Sequence, residues 1–289
     1  MICTLCPRRC GAERTEYEGR GFCAMPAGLR VARAALHMWE EPPISGTQGS
    51  GTVFFSGCTL RCRYCQNGSI SAGGFGKTIT TARLRTIFEE LIDQGAHNIN
   101  LVTPTHFLPW ILPALEPKLP VPVVYNCGGY ESVETLKRLE GRVDIWLPDL
   151  KYADGDLAER LSAALDYFPV AAAAIREMFR QTGPCVMENG LLKRGVVIRH
   201  LVLPGQLDNT RRCIDWVAEN FAPGDILFSL MSQYTPQPGA EGLLARHVTR
   251  AEYRAAAAYM ENCRITDGFT QERTAAREEY TPPFDLSGV

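Results

Sequence analysis

Residues 52–65 read Thr52-Val53-Phe54-Phe55-Ser56-Gly57-Cys58-Thr59-Leu60-Arg61-Cys62-Arg63-Tyr64-Cys65. A β-branched and aromatic run is followed by a Ser-Gly turn and then by cysteines spaced C-x3-C-x2-C. The run predicts a strand, and the turn leaves the thiols at its C-terminal end. Iron–sulfur clusters are held by thiolates, usually four of them. A tight run that stops at three predicts three corners of a [4Fe-4S] cluster. The remaining iron then has either a distant ligand or an open position kept for a substrate.

Downstream the pattern repeats. Short apolar runs at 52–56, 98–103, 121–126, 143–147, 196–203 and 225–230 predict strands. Amphipathic stretches at 81–94, 107–116, 131–140, 154–165 (extending irregularly to 181), 208–220 and 249–263 predict helices. Thr80 or Thr81 is the expected cap of the first helix, and Asp208 or Asn209 that of the fifth. Six β-then-α units imply parallel strands with right-handed crossovers. The expected fold is therefore α/β, a partial (β/α)6 parallel barrel with a cysteine-rich N-terminal segment. Active sites of such folds gather at the C-terminal ends of the strands, where the first unit carries its cysteines. Expected boundaries are 1–50 for the N-terminal segment, 51–265 for the barrel and 266–289 for a tail.

The tail carries Gln271, Glu272, Arg273, Arg277, Glu278, Glu279 and Tyr280. It is expected to pack through Phe269, Tyr280 and Phe284. The N-terminal segment is rich in glycine and proline, and holds Cys3, Cys6, Cys10 and Cys23. Their spacing supplies four thiolates for one centre, either structural zinc or a second iron–sulfur cluster. Cys127, Cys185, Cys213 and Cys263 are scattered and read as small apolar residues.

The 289 residues carry a net charge of −2, which gives no electrostatic case for nucleic acid or an anionic membrane. No apolar run is long enough to span a bilayer, and no secretory leader pattern opens the chain. Eleven cysteines without such a leader point to a reducing cytoplasm and metal or redox chemistry. Val31–Trp39 reads as a strand or short helix ended by Pro42-Pro43. His37, Glu40 and Glu41 beside it read as the polar edge of a connector. Ser71-Ala72-Gly73-Gly74-Phe75-Gly76-Lys77-Thr78 imitates a phosphate-binding loop. It has Ser in place of the first Gly and follows a loop, not a strand, so it reads as a flexible connector.

The cysteine loop, with an aromatic before its third cysteine, resembles the signature of the radical S-adenosylmethionine (SAM) superfamily over residues 51–265. More closely, the chain resembles the activating enzymes of glycyl radical enzymes. The likeness is strongest to pyruvate formate-lyase activating-enzyme homologues with an extra cysteine-rich N-terminus. Four phrases carry this: Cys6-Pro7-Arg8-Arg9-Cys10-Gly11; Leu36-His37-Met38-Trp39-Glu40-Glu41-Pro42; Gly49-Ser50-Gly51-Thr52-Val53-Phe54-Phe55-Ser56-Gly57-Cys58; and Cys65-Gln66-Asn67.

The resemblance implies a cluster on Cys58, Cys62 and Cys65 whose open iron is chelated by SAM. Reductive cleavage then gives a 5′-deoxyadenosyl radical, which abstracts hydrogen from a glycine of a partner glycyl radical enzyme. It also implies a reduced flavodoxin- or ferredoxin-type electron donor. Two alternatives stand beside it: modification of another peptide or small molecule, and an iron–sulfur electron carrier without SAM chemistry. Tyr64 is expected near the adenine. Asp149 and Lys151, in Leu147-Pro148-Asp149-Leu150-Lys151, are expected at the SAM ammonium or ribose and at its carboxylate. Arg199, in a strand ending Pro204-Gly205, is expected at the carboxylate or ribose, with its neighbour His200 structural. Asn126 matches an Asn-Gly turn loosely. The family's Gly-Gly-Glu after the second strand is replaced by Thr103-Pro104-Thr105, whose hydroxyls are the substitute oxygens. Gln233 and Tyr234 are expected at the substrate.

Overall fold

The computed structural model describes residues 2–265, 267–270 and 282–289. Its strands are β1 (Arg30–His37), β2 (Ser50–Phe55), β3 (Lys77–Thr78), β4 (Ile99–Val102), β5 (Val123–Cys127), β6 (Ile145–Pro148), β7 (Val186–Glu188), β8 (Leu191–Leu201), β9 (Leu227–Met231) and β10 (Gly268–Thr270). They form one sheet in the order β10-β9-β8-β6-β5-β4-β2-β1-β3, with β7 paired to β8. The run from β2 through β4, β5, β6 and β8 to β9 is parallel throughout. β1 joins β2 antiparallel. All six expected strands are present, as an open, mostly parallel sheet of partial-barrel type.

The helices are α1 (Pro42–Ser45), α2 (Gly68–Ser71), α3 (Thr81–Asp93), α4 (Leu108–Ala114), α5 (Val133–Lys137), α6 (Gly155–Ser162), α7 (Tyr167–Thr182), α8 (Leu207–Asn220) and α9 (Arg250–Asn262). Thr80 caps α3 by accepting from the Arg83 amide. The expected cap of α8 is not formed. Gln206 occupies the cap position, and Asn209 turns away to accept from the Ala153 and Asp154 amides. The irregular stretch after 154 is two helices, parted where Ala163 takes a left-handed φ of 48°. The 31–39 stretch is a strand, and the glycine-rich connector ends in β3, paired to β1.

Strand pleating sorts the side chains. Val53, Leu101, Tyr125 and Trp146 stand in register and pack in the main core with the helices. The alternate face turns inward. At its N-terminal end Ile44 of α1 packs with Val124, Ile145, Leu147, Leu192 and Val197, closing the floor. The other end is left open for chemistry.

Both termini pack on this frame. Arg14 is buried and donates to the carbonyls of Met25, Pro26 and His106. The final residues run along β1: Leu286 N donates to Ala32 O, and Ala34 N to Ser287 O. Phe284 packs edge-on against Phe54 at 5.4 Å. Of the expected tail anchors, Phe269 lies in β10, while Tyr280 and the charged residues 271–279 lie outside the described residues. No described helix is long and apolar enough to cross a membrane.

Candidate active site

The cysteine loop leaves β2 through Gly57, whose φ is 82°. A Cβ there would fall 2.2 Å from Met25 Cγ, so the position suits only glycine. Each loop sulfur accepts hydrogen bonds. Leu60 N donates to Cys58 Sγ at 3.3 Å, Ser162 Oγ to Cys62 Sγ at 3.0 Å, and Ser71 Oγ to Cys65 Sγ at 3.3 Å. Burial and then the neighbouring Cys62 and Cys65 push the Cys58 thiol up to about 12. Burial and Cys62 raise Cys65. Neutral thiols are therefore favoured until a cation arrives. Bound iron reverses that preference, because a coordinating thiol is deprotonated outright. Three free, hydrogen-bonded thiols on one loop fit the donor set of an iron–sulfur cluster. Among the described residues no three Cys, His, Asp or Glu side chains converge as a cage for a single metal ion. A cubane spreads its ligands over separate irons and does not need such a cage.

Cys62, Tyr64 and Cys65 share one open pocket with Gln66, Asn67, Asp149, Lys151, Arg199, Met231, Gln233 and Tyr234. Its cavity volume is about 200 Å³, smaller than the ~300–1,000 Å³ of typical small-molecule clefts, and it opens to solvent. Asp149 is its electrostatic centre. It accepts from Lys151 Nζ and from Arg199 Nε, the latter at 2.9 Å. Burial alone would raise Asp149, but the Arg199 and Lys151 charges hold it below the ordinary carboxylate range. Burial would likewise lower Lys151, and Asp149 outweighs it. All three groups are therefore charged, and each cation is pre-aimed by its carboxylate.

Beneath them lies Glu40, which overturns the expectation of a polar connector edge. Its side chain is 9% exposed. It accepts from Asn100 Nδ2 at 3.1 Å, Asn126 Nδ2 at 3.2 Å and Arg199 Nη1 at 3.2 Å. Arg199 Nη2 also donates to Asn126 Oδ1 at 2.6 Å. Asn126 thus reaches the site through Arg199. Glu41 is also buried, and burial raises both glutamates. The reason is the path of the chain: between β1 and α1 it dips under the strand ends. His37 packs edge-on to Phe54, a structural place.

The other expected residues divide. Tyr64 is buried, its hydroxyl 2.8 Å from that of Tyr152. Thr103 holds a left-handed φ of 57° at the end of β4 and does not line the pocket. Thr105 points into the helix layer and donates to Glu131, so its hydroxyl does not face the pocket. His200 is buried between Leu150 O and Thr210 Oγ1, and burial lowers it to about 4, as a structural histidine requires. In the N-terminal segment Cys3, Cys6, Cys10 and Cys23 are neighbours. Cys3 and Cys23 raise Cys6, and Cys3 and Cys10 raise Cys23, each after burial as the main cause. Glu40, Asn100 and Ser162 had no sequence signal of their own, beyond the place of Glu40 inside the Leu36–Pro42 phrase.

Comparison with known proteins accords with this geometry. The family model described as the Radical SAM superfamily matches residues 52–217. An uncharacterized protein of Methanocaldococcus jannaschii is 33% identical over 247 residues, covering 81% of this chain and 66% of that one. SuiB of Streptococcus suis superposes with a TM-score of 0.53 at 13% identity, covering 77% of this chain and 48% of SuiB. HydG, a maturase of the [FeFe]-hydrogenase, superposes with a TM-score of 0.51 at 14% identity, covering 78% and 52%. SuiB has also been solved with S-adenosylmethionine and with its precursor peptide SuiA. The chain spans about half the length of these solved proteins and just under two thirds of the curated relative.

Proposed function

The chain belongs to the radical SAM superfamily, and on that premise we propose that it is an enzyme that cleaves S-adenosylmethionine reductively and abstracts hydrogen from a glycine of a partner protein. When bound, a [4Fe-4S] cluster supplies the electron that splits the sulfonium into methionine and a 5′-deoxyadenosyl radical. One observation carries the reading: Cys62 and Cys65 line the same pocket as Asp149, Lys151 and Arg199. An electron carrier needs no such charged set beside its thiols.

In this reading Cys58, Cys62 and Cys65 hold three irons. Lys151 meets the SAM carboxylate as a compact cation. Asp149, the carboxylate that stays ionised, takes the SAM ammonium in place of the glutamate missing after β4. Arg199 and Asn126, braced from below by Glu40, face the ribose side. Tyr64 contributes its ring near the adenine. Gln233 is on the substrate side, and the buried Tyr234 lines the wall beside it. Residues 51–265 carry the catalytic core, to which the segment before it adds β1 and Glu40 and the segment after it adds β10. The free thiols suit the cytoplasm, where a flavodoxin- or ferredoxin-type protein is the donor. Cys3, Cys6, Cys10 and Cys23 are the proposed ligands of a second centre, zinc or a cluster, although among the described residues they form no cage for a single ion as they stand.

The glycine substrate is supported by the Asp149-Leu150-Lys151 and Pro204-Gly205 phrases. Anaerobically reconstituted protein given dithionite and SAM is expected to release 5′-deoxyadenosine. Lys151→Ala is expected to keep its iron and weaken SAM binding by about tenfold or more, since a hydrogen bond to a charged group contributes about 1.5–3 kcal/mol. No nucleoside from protein with a full cluster would remove the enzymatic reading. A glycine-centred doublet in the electron paramagnetic resonance (EPR) spectrum of a co-expressed partner decides for activation. Its absence points to another peptide or small molecule. Iron and zinc counts on a Cys58/Cys62/Cys65→Ala variant report what the N-terminal thiols hold.

A further inference from the structure

The C-terminal turn of α6 is fastened to the cysteine loop directly at Leu161 and Ser162, and through Arg8 at Ser162 and Ala163. Leu161 O accepts from the Arg63 amide at 2.9 Å. Ser162 Oγ donates to Cys62 Sγ at 3.0 Å. Ser162 O accepts from Arg8 Nη2 at 2.7 Å, and Ala163 O from Arg8 Nη1. The same guanidinium donates through Nε to Thr59 O at 2.9 Å, inside the loop. Its plane lies 3.9 Å from the centroid of the Phe22 ring, with Tyr130 at 5.1 Å. Arg8 stands between Cys6 and Cys10, so one side chain of the N-terminal segment grips both the cysteine loop and the helix end behind it. A cation is favourable at that place, because unsatisfied carbonyls carry the negative end of a helix dipole.

Three hydroxyls continue the connection. Those of Tyr64 and Tyr152 are 2.8 Å apart, and those of Tyr152 and Ser162 are 2.7 Å apart. The chain ends on Cys62 Sγ. A ligating thiolate can only accept, so in the Ser162–Cys62 bond the serine donates, and Tyr152 then donates to Ser162. Hydrogen bonds to cluster sulfurs are among the factors that set reduction potential, and a donor favours the more negative, reduced state.

We infer that Arg8 is a positioning residue that holds the Ser162 hydroxyl on Cys62 Sγ, and through it raises the reduction potential of the cluster bound by this loop. This rests on Cys58, Cys62 and Cys65 being the cluster ligands. It gives the N-terminal segment a function at the reacting centre, exerted through α6 without entering the pocket. Arg8 binds backbone carbonyls in three directions; a lysine has one point charge and cannot replace that fork.

The test is an EPR-monitored redox titration of the anaerobically reconstituted full chain, with iron counted in every sample. Ser162→Ala is expected to lower the reduced-to-oxidised ratio at fixed applied potential by about threefold to tenfold, the size of one net hydrogen bond. Ser162→Thr restores the hydroxyl and is expected to restore the ratio. Arg8→Gln and Arg8→Lys are expected to shift it the same way as Ser162→Ala, and Arg8→Gln to add little in the Ser162→Ala background. An Arg8→Gln chain that keeps the parent's far-ultraviolet circular dichroism but takes up less iron also supports the clamp. A parental ratio in Ser162→Ala would overturn the inference. So would a shift in Ser162→Ala with none in Arg8→Gln, or full additivity of the two. Failure of the unaltered chain to bind any cluster would instead remove the ligand assignment on which the inference rests.

Discussion

Glu131 sits 3% exposed behind β5, and hydroxyls meet its oxygens. Thr105 Oγ1 lies 2.8 and 2.9 Å from them, and Tyr125 OH lies 3.0 Å from Thr105 Oγ1. Burial raises Glu131 from 4.5 to about 8, with Thr105 and Tyr125 pulling it back. The folded chain therefore keeps this proton over a range in which the unfolded chain has released it. With more protons bound in the folded state, stability falls as pH rises. The fall begins near 4.5 and levels off near 8. Its slope is at most about 1.4 kcal/mol per pH unit. Glu131→Gln is expected to flatten the slope across that window, read from urea unfolding at several pH values. An unchanged slope would mean that the carboxylate is not its source. The contrast with Asp149 is instructive. Both are buried carboxylates, but only Asp149 has Arg199 and Lys151 against it, and only that site holds charge ready for a ligand. The Asp-Leu-Lys phrase made Asp149 legible. Nothing local marks Glu131, and Glu40 reads only as a connector's polar edge, because the burial of both depends on how distant segments close over them.

At the scale of elements, the floor of the barrel is the part that a period-two or period-3.6 pattern could not show. α1 is four residues long, too short for any periodicity. Ile44 is nevertheless wholly buried among Val124, Ile145, Leu147, Leu192 and Val197. The β7–β8 hairpin was also overlooked. Its turn is Asn189-Gly190, with φ of 52° and 79°, the residue pair most favoured where both central positions need positive φ. The long parallel strands and amphipathic helices were readable because their own side chains alternate or repeat. The floor was not, since it is assembled from one or two residues each of four separate elements, α1, β5, β6 and β8. Ile44→Ala is expected to cost about 2–5 kcal/mol, because the methylenes removed leave a cavity the strands cannot collapse into. Guanidinium unfolding checks this. Because Glu40 and Glu41 immediately precede α1, the variant is also expected to weaken SAM binding while keeping its iron. A stability change below about 1 kcal/mol would show that the floor repacks freely.

Across the whole molecule, the sheet faces the difficulty of any open sheet: its outer strands present unpaired backbone groups. At one end β1 is paired to β3 over only Arg30 and Val31. The last residues of the chain take over beyond that point. Leu286 N binds Ala32 O at 3.1 Å, and Ser287 O binds Ala34 N at 2.9 Å. Asp285 pairs with Arg33 at 2.7 Å. Phe284 covers Phe54 from the inner side, in a small cluster with Ala32, Ile70 and Val102. That cluster adjoins the loop that carries the cysteines, since Ile70 O accepts from the Gly57 amide. The two backbone hydrogen bonds contribute about 1 kcal/mol each. The half-buried ring adds about 1 kcal/mol more, whereas the exposed ion pair adds little. Deleting residues 282–289 is therefore expected to lower stability by about 2–3 kcal/mol and to bare the β1 edge. Urea unfolding measures the first effect, and light scattering on a sizing column the second. The truncated chain should self-associate with rising concentration, and lysine substitutions along β1 should reverse this without restoring the lost stability. A truncated chain that unfolds at the parent's midpoint and stays monodisperse would show that β1 is held by β2 alone. The lysine arm separates edge exposure from general loosening: a loosened core aggregates whatever its edge carries.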